Sequence, residues 1–245
     1  TRRSSDLHYA EVQGADIIEV ETLAADDFAI DVDAMLAACD DSTRLIFVCS
    51  PNNPTGTTLP RDQLEKLLQR RGDRSAVVID EAYVEFGNGP SVIELLDQYP
   101  NLLVLRTLSK ALGFAGARCG AVVGLEAVIQ MLSAVQAPYA LATPVVECVE
   151  DALQEEQLAL AERAVARIIE ERERLVREIG TFDFVRKIWP SNANFILIEV
   201  DDAASVMRRC QDHHVLLRHF GGELAACSRI SVGSPDENNQ LLGAL

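Results

Sequence analysis

The sequence predicts an α/β fold, a mostly parallel sheet sandwiched by helices, followed by a smaller α+β C-terminal domain. The first observation is that short apolar runs alternate with segments of helical periodicity over the first half of the chain. The second is that a long charged helix separates this half from segments in the order β, β, α, β, β, α. We therefore place a large domain over residues 1–140 and a small domain, which includes the long helix, over residues 141–245.

The large domain is predicted to consist of short strands and amphipathic helices. Its strands are apolar runs bounded by turn residues, at 45–49, 76–80, 102–107 and 120–124. Its helices have apolar residues at helical spacing, at 32–39, 61–70 and 125–136. This alternation of strands and helices is what a parallel sheet requires.

Between Pro138 and Pro144 the sequence changes from alternating strand and helix patterns to a long charged segment, and we expect the small domain to begin there. Residues 155–179 carry apolar residues at helical spacing among many charges, which predicts one long helix with a solvated face. Gly180 is expected to end this helix. The remaining segments predict strands near 184–189, 195–200, 215–218 and 228–232, and helices near 203–210 and 235–245.

The segment from Thr107 to Gly120 places one lysine, Lys110, among small residues and hydroxyls, with Arg118 eight positions later. A neutral lysine amine is a nucleophile that bonds to aldehydes. The hydroxyls of Thr107 and Ser109, together with the Arg118 guanidinium, suit a phosphate. An aldehyde and a phosphate on one small molecule describe pyridoxal 5′-phosphate (PLP). The alternative is an exposed lysine between a strand and a helix, which is the more common situation for a lysine.

Two further segments place polar groups where predicted strands end. Asp80 ends the apolar run 76–80, at the sheet edge where ligands bind in open α/β folds, and a carboxylate there can pair with a protonated pyridine nitrogen. The same residue could equally be a helix N-cap. Residues 50–56, Ser-Pro-Asn-Asn-Pro-Thr-Gly, form a rigid loop after the strand 45–49 that can aim one amide at a ligand. An ordinary turn would account for the prolines and the glycine of this loop, but not for the order in which its residues follow one another.

Four segments in this order and spacing resemble the fold-type-I PLP enzymes and, within them, the histidinol-phosphate aminotransferases. They are S-P-N-N-P-T-G at 50–56, V-V-I-D-E-A-Y at 77–83, R-T-L-S-K-A at 106–111 with A-R-C-G at 117–120, and S-R-I-S-V-G at 228–233. The resemblance runs from about His8 to Leu245. It implies the PLP-dependent transferase fold of type I, PLP as cofactor and a homodimer.

The resemblance also implies the catalytic residues. Lys110 would bond covalently to the cofactor and then move the substrate proton, while Asp80 would pair with the ring nitrogen. Asn53 and Tyr83 would contact the ring 3-hydroxyl, and Tyr83 completes the catalytic set with Lys110 and Asp80. The tight loop and the resemblance together predict a cis peptide bond between Asn53 and Pro54.

Phosphate and substrate binding are assigned to hydroxyls and arginines by the same resemblance. Thr107, Ser109 and Arg118 would hold the cofactor phosphate. Arg229 matches the arginine that grips a substrate's α-carboxylate, and Arg218 matches a second anion-binding arginine. Without the resemblance, an arginine at a strand end is more often an exposed edge charge. Because a guanidinium binds carboxylate and phosphate with similar geometry, Arg229 would serve both half-reactions.

The implied reaction is transamination between histidinol phosphate and 2-oxoglutarate, giving imidazole acetol phosphate and glutamate in histidine biosynthesis. Close alternatives are an aromatic or broad-specificity aminotransferase, or a threonine-phosphate decarboxylase, of the same fold. A distant alternative is a non-catalytic or regulatory module. Family members have a further quarter to a third of chain before this point, and residues 1–7 do not resemble the family. We therefore expect that the N-terminal part is missing and that residues 1–245 alone do not run the reaction at a useful rate.

The composition of the chain argues against some classes of binding partner and indicates where the protein is located. The net charge of −16 argues against nucleic acid and anionic membranes as partners. No apolar run reaches the length of a membrane span and no signal peptide is visible, so we expect a cytoplasmic enzyme. The six cysteines lack ligand-like spacing and are expected to be reduced core thiols. No metal site is expected, because His213 and His214, adjacent on a predicted strand, would point to opposite faces.

Overall fold

The computed structural model describes residues 5–245, with side chains described from Tyr9 onwards. Residues 1–4, which belong to the segment without resemblance to the family, lie outside the described residues. Two four-stranded sheets organise the described part of the chain. The strands of the first sheet are β1 (Leu45–Cys49), β2 (Ala76–Asp80), β3 (Leu102–Thr107) and β4 (Gly120–Gly124). All four predicted strands are confirmed with the predicted bounds.

The first sheet has the order β1-β2-β3-β4. Strands β1, β2 and β3 run parallel, whereas β4 runs antiparallel to β3. The expected alternation of strand and helix therefore fails at β4. Residues 108–119 contain only a short 3₁₀ turn at Ala115–Ala117, and without a crossover helix the chain returns antiparallel. The prediction of a mostly parallel sheet still holds.

The helices of this half are α1 (Ser5–Val12), α2 (Val32–Ala38), α3 (Arg61–Arg71) and α4 (Glu126–Val135). The sequence did not predict α1. The core of the first sheet combines buried side chains of β1, β2 and β3 with those of α2 and α3. Its members include Val32, Ile46, Val48, Leu64, Leu67, Leu68, Val77, Ile79, Leu102 and Val104. This core fixes the carboxyl ends of the three parallel strands at one edge of the sheet.

The second half contains α5 (Thr143–Ala152), α6 (Glu155–Ile179), α7 (Ala203–Asp212) and α8 (Pro235–Ala244). Its strands are β5 (Val185–Ile188), β6 (Phe195–Val200), β7 (Arg218–His219) and β8 (Cys227–Ser231). They form an antiparallel sheet in the order β5-β6-β8-β7. The sequence did not predict α5, but it predicted the bounds of α6. Gly180 follows α6 in a right-handed conformation, so no left-handed turn requires a glycine there.

The strand predicted at 215–218 is wrong in position, since β7 comprises Arg218 and His219 alone. The turn after α7 is longer than expected, because His214 has a φ of 59° and the Val215 N–H donates to the Cys210 carbonyl. His213 is the C-cap of α7. The two histidines therefore do not lie on a strand, and the argument that they point to opposite strand faces does not apply.

The second sheet packs on both faces. One face and helices α6, α7 and α8 share a core that includes Leu175, Ile179, Ile196, Ile198, Val206, Ile230 and Leu241. The other face meets the first half of the chain, where Phe195 packs edge-on against Tyr83 and Leu197 packs with Phe28 and Trp189. The division of the chain at residue 140 stays a prediction. Over residues 5–245, none of the helices has the length and apolar character needed to cross a membrane.

Candidate active site

Asp80 ends β2 at the carboxyl edge of the parallel strands. Its Oδ1 accepts a hydrogen bond of 3.0 Å from the Ala82 N–H, and Cys49 Sγ lies 3.8 Å from its Oδ2. Cys49 is also the register partner of Asp80 on β1. The alternative of a helix N-cap is wrong, because the next helical turn is a 3₁₀ turn that begins at Val84 with Tyr83 as its N-cap. Asp80 thus presents a carboxylate that its own backbone turn orients.

The loop 50–56 lies against the turn that precedes β6. Gly56 has a φ of +77°, and a Cβ there would lie 2.8 Å from the Ser191 Cα, so both the conformation and the space require glycine. The Asn192 N–H donates to the Gly56 carbonyl at 2.9 Å. The Asn53–Pro54 bond is cis, as predicted, and so is the bond between Ser50 and Pro51. The loop is therefore held between the two sheets.

Asn53 links the two halves of the chain through its side-chain amide. Its Nδ2 donates to the Tyr83 hydroxyl at 3.2 Å, and its Oδ1 accepts from Arg229 Nη1 at 2.6 Å. The Arg229 guanidinium also lies 5.1 Å from the centre of the Phe195 ring. Three predicted site residues from three distant segments thus form one hydrogen-bonded chain. The hydrogen bonds to both ends of the amide fix its orientation.

Lys110 lies beside this chain of hydrogen bonds. Its Nζ is 5.2 Å from the centre of the Tyr83 ring. The side chain is exposed, as in the alternative of an exposed lysine after a strand. Thr107 and Ser109 lie just before it, and the Thr107 hydroxyl donates to Ser109 Oγ at 2.9 Å while accepting from the Ser109 N–H at 3.1 Å. Two hydroxyls are therefore paired at the start of the loop that carries the lysine.

Arg118 follows the 3₁₀ turn near the end of the same loop. Thr107 pairs with Gly120 in the register of β3 and β4, and the Leu108 N–H donates to the Cys119 carbonyl. This pairing brings residue 118 back towards Ser109. Arg118 is exposed, has a φ of 50° and donates through Nη1 to the Ala115 carbonyl at 3.1 Å.

Arg218 and Arg229 are register partners on β7 and β8. Directly opposite residues of an antiparallel pair project from the same face of the sheet, and like charges in such positions repel each other. Arg218 is exposed and Arg229 is partly buried. Two guanidinium groups on one face, one of them bonded to Asn53, form an arrangement that a bound anion would stabilise.

An ionic cluster that the sequence did not predict lies at the end of β3, before the lysine loop. Arg106 Nη2 lies 2.6 Å from Glu85 Oε1, and Arg106 Nη1 lies 3.5 Å from Glu81 Oε2. The buried Glu81 carboxylate also accepts from Ser91 Oγ at 2.6 Å and from the Val92 N–H at 2.8 Å. This cluster fixes the end of β3 just before the paired hydroxyls. The sequence could have indicated this cluster, because Glu81 directly follows β2 and Arg106 lies near the end of the neighbouring strand β3.

Arg106 and Glu85 also line a cavity of about 720 Å³ between the end of β3 and helices α5 and α6. Most of its lining is apolar, and it includes Leu108, Ala111, Leu158 and Val165. The cavity therefore lies behind the lysine loop, on the side of the long helix.

Comparison with known proteins identifies the family. Residues 7–245 match the family described as aminotransferase class I and II. A histidinol-phosphate aminotransferase of Xanthomonas campestris pathovar campestris is 40% identical over 240 residues, which cover 96% of this chain and 66% of that protein. A corresponding enzyme of Xylella fastidiosa is 39% identical over the same shares.

A solved histidinol-phosphate aminotransferase of Sinorhizobium meliloti, in complex with pyridoxal 5′-phosphate, is 26% identical with a TM-score of 0.84. The match covers 98% of this chain and 66% of that one. The structure of the Clostridium acetobutylicum histidinol-phosphate aminotransferase has a TM-score of 0.88 at 20% identity. It covers 98% of this chain and 74% of that one, and supports the fold.

The chain spans 66% of the length of these two curated relatives. The expected fold, a type-I transferase sheet with a smaller α+β part, is confirmed by these structures. The family match extends over nearly the whole chain. The chain therefore belongs to the aminotransferase class I and II family.

Proposed function

We propose that this protein is a PLP-dependent aminotransferase that exchanges the amino group of histidinol phosphate with 2-oxoglutarate, as part of histidine biosynthesis. The observation that carries the proposal is the hydrogen-bonded chain from Arg229 through Asn53 to Tyr83, next to Lys110. It connects the residue expected to bind a substrate anion with the residues expected around a cofactor ring. The names of the curated relatives support histidinol phosphate as the amino substrate.

The residues present fit PLP group by group. The Asp80 carboxylate suits the ring nitrogen, and the polar pair formed by Asn53 and Tyr83 suits the ring hydroxyl. The Lys110 amine suits the aldehyde. The paired hydroxyls that begin the lysine loop suit the phosphate, and Arg118, whose guanidinium donates to the Ala115 carbonyl here, is assigned to the same group by the family resemblance. When bound, PLP supplies an electron sink that makes the α-carbon proton of an amino substrate acidic.

The proposed work of the chain's own residues is proton transfer, positioning and charge stabilisation. Lys110 Nζ, as a neutral amine, would accept the proton from the substrate α-carbon and would donate it to the carbon that receives the amino group. The Asp80 carboxylate would pair with the protonated ring nitrogen and so stabilise its positive charge. Tyr83 accepts a hydrogen bond from Asn53, so its own O–H remains able to donate.

The two arginines explain how one site would take two different substrates. Glutamate and 2-oxoglutarate present carboxylates, whereas histidinol phosphate has no α-carboxylate and presents a phosphate. A guanidinium binds both groups through two parallel hydrogen bonds. Arg229, with Arg218 on the same face of the sheet, would therefore bind the anion in each half-reaction.

Other functions on the same fold use the same groups. An aromatic or broad-specificity aminotransferase, or a threonine-phosphate decarboxylase, would need Lys110, Asp80 and Asn53 equally. A non-catalytic module has no use for all three, which makes it the weaker alternative. We also propose a homodimer and a cytoplasmic location, as the family resemblance and the composition imply.

The deciding experiment uses the fact that the chain contains only three lysines, Lys66, Lys110 and Lys187. Lys66 and Lys187 form ion pairs with Asp33 and Asp27, away from the site. The purified protein is incubated with PLP, its visible absorption is recorded, and borohydride makes any bond between lysine and PLP permanent. Peptide mapping should find the label on Lys110, and Lys110→Ala should lose it. A label on either other lysine contradicts the assignment.

A substrate panel then separates the close alternatives. Histidinol phosphate, phenylalanine and threonine phosphate are compared as amino substrates, with the spectral change of the bound cofactor as the measurement. We expect histidinol phosphate to react fastest. A faster reaction with phenylalanine, or release of carbon dioxide from threonine phosphate, would assign the protein to one of the alternatives.

A further inference from the structure

Phe195 begins β6 and packs against the first half of the chain. It is 2% exposed, and its carbonyl accepts a hydrogen bond from Ser191 Oγ at 2.5 Å. Ser191 in turn lies against Gly56, at the end of the loop that carries Asn53. The backbone of Phe195 is therefore tied to the turn that holds this loop.

The ring of Phe195 is fixed by its neighbours. The centre of the Tyr83 ring lies 5.2 Å from the centre of the Phe195 ring, and the two rings are nearly perpendicular, at 86°. Phe86 and Ala193, both fully buried, belong to the same apolar cluster. Close packing of this kind holds a side chain in one orientation, and perpendicular rings attract each other. Tyr83, which is expected to contact the cofactor ring, thus helps to set the position of Phe195.

Arg229 lies over the Phe195 ring, with its Cζ 5.1 Å from the ring centre. The register of β6 and β8 explains this contact, since Phe195 pairs with Ser231 and Leu197 pairs with Arg229. Phe195 and Arg229 are therefore diagonal neighbours on one face of the sheet, within reach of aromatic and long side chains. A guanidinium over the face of an aromatic ring is attracted by the ring electrons, and more strongly where water is excluded.

A ring supports a guanidinium differently from a carboxylate. The ring face attracts the charge of the whole guanidinium, so the N–H groups remain able to donate to an anion. The ring is also uncharged, whereas a carboxylate in the same place would offset the positive charge of Arg229 and repel a second anion. This difference matters in a chain with a net charge of −16, whose overall field does not attract anions.

We propose that Phe195 is a positioning residue of the anion site, and that its ring holds the Arg229 guanidinium in place for the substrate anion. The inference rests on the proposed function for the role of Arg229. Asn53 also holds Arg229, but through a hydrogen bond to Nη1 for which a substrate anion competes. The contact with the ring does not use that donor, so it persists when the anion binds.

The proposed role has a specific kinetic consequence. The ring supports Arg229 in the same way whether the substrate presents a carboxylate or a phosphate, so weakening the contact should weaken substrate binding in both half-reactions. The rate at saturating substrate should change little, because Lys110 and Asp80 carry out their roles at the cofactor without Phe195. A general loss of structure would instead lower the rate and the stability together.

The first test weakens the attraction while keeping the shape of the ring. Phe195 is replaced by phenylalanines with one, two or three fluorine atoms, which withdraw electrons from the ring face step by step. The control is the same series at Phe86, a buried ring of the same cluster. Single-turnover kinetics give KM and the saturating rate for each half-reaction. At position 195, KM should rise with each fluorine atom, by about three- to ten-fold in total, whereas the series at position 86 should leave it unchanged.

The second test measures the contact without any substrate. The fluorinated residues are placed at position 195 in the wild type and in Arg229→Gln, which lacks the positive charge. Urea unfolding compares the two series, as in a double-mutant cycle. Each fluorine atom should lower the free energy of unfolding of the protein with Arg229, and should have a smaller effect in Arg229→Gln.

Each remaining outcome overturns the inference. Equal effects of fluorine in the two proteins would show that the ring does not hold the guanidinium. Unequal effects with an unchanged KM would show that the contact is structural only, and an equal rise of KM at position 86 would show that position 195 has no special role. These three results leave the reaction and the PLP label on Lys110 intact, whereas a wild type that reacts with none of the substrates refutes the proposed function and, with it, this role of Phe195.

Discussion

Arg229 Nη1 donates to Asn53 Oδ1 over 2.6 Å, and this hydrogen bond joins residues 176 positions apart in the sequence. Arg229 is proposed to bind the substrate anion, and Asn53 is proposed to contact the cofactor ring. When a substrate anion binds Arg229, it competes with Asn53 for the guanidinium donors. Asn53 in turn donates to Tyr83, so the substrate side and the cofactor side of the site share one hydrogen-bond network.

The first prediction is that Arg229→Lys weakens both half-reactions. Lysine keeps the charge but lacks the forked donors, and loss of a charged hydrogen bond costs about 1.5–3 kcal/mol, or about 10–150-fold in rate. Single-turnover kinetics with glutamate and with histidinol phosphate measure each half-reaction separately. Arg218→Lys serves as the comparison at the neighbouring position and should have the smaller effect. If only the glutamate reaction slows, the two substrates do not share Arg229.

The second prediction concerns the ring nitrogen. Asp80→Asn should leave the fold nearly intact, since the amide is close in size to the carboxylate and its oxygen can still accept from the Ala82 N–H. Turnover should fall by about 100-fold or more, because a neutral amide does not stabilise a positive charge on the ring. Circular dichroism checks the fold, and steady-state kinetics in excess PLP check the turnover. A folded variant with normal turnover would refute the role of Asp80.

Most of the fold follows from local sequence patterns. The strands of the first sheet are apolar runs with clear turn residues at both ends, so their bounds are readable, and α6 shows helical periodicity over its whole length. The antiparallel direction of β4 was harder to predict, because it depends on the lack of a helix in residues 108–119. Helix α5 is only ten residues long and begins at the proline-containing stretch that was interpreted as a boundary, and the sequence did not predict it.

In the candidate site, too, some features follow from local sequence and others do not. Lys110, Asp80 and Asn53 were found because they lie in motifs that keep their order along the chain. The bond from Arg229 to Asn53 was not predictable, since nothing local in either segment indicates contact with the other. Lys110 is exposed, as its alternative interpretation expected, but the position of its Nζ near the Tyr83 ring depends on how the loop after β3 folds back and was not predictable.

The third prediction tests the loop that carries Asn53. Gly56→Ala should lower the free energy of unfolding by about 1–3 kcal/mol, since the residue has positive φ and its Cβ would press on the backbone of Ser191. The affinity for PLP should fall as well, because the loop would shift away from Tyr83. The control is Gly89→Ala, where a Cβ meets no atom within 4 Å. Urea unfolding and PLP titration of both variants are the measurements, and equal behaviour of the two would contradict the prediction.

The fourth prediction concerns a buried arginine on the long helix. Arg172 is 2% exposed and donates through Nη1 to the carbonyls of Phe86 and Ala193, both at 2.9 Å. Arg172→Met keeps the apolar stem but leaves two buried carbonyls without this donor. The free energy of unfolding should fall by about 2–5 kcal/mol. Arg177→Met on an exposed position of the same helix is the control and should change stability by less than about 0.5 kcal/mol.

The last prediction is a pH dependence at the contact between α6 and α8. Glu171 accepts from Arg174 Nη2 at 2.6 Å and from Asn238 Nδ2 at 2.7 Å. The hydrogen bonds from Arg174, helped by the one from Asn238, hold the pKa of Glu171 below its ordinary value of 4.5. Because the folded state binds the proton less readily than the unfolded state, this carboxylate stabilises the fold above that ordinary value, and the contribution is lost as the pH falls through the folded pKa.

Glu171→Gln should therefore be less stable than the wild type at about pH 7, and the difference should shrink steadily as the pH is lowered below about 4.5. Glu170→Gln is the matched control, since Glu170 is the preceding residue of α6 and is exposed. Urea unfolding of the three proteins between about pH 3 and pH 7 gives the comparison. If the difference between wild type and Glu171→Gln does not change with pH, the hydrogen bonds from Arg174 and Asn238 do not favour the ionised carboxylate.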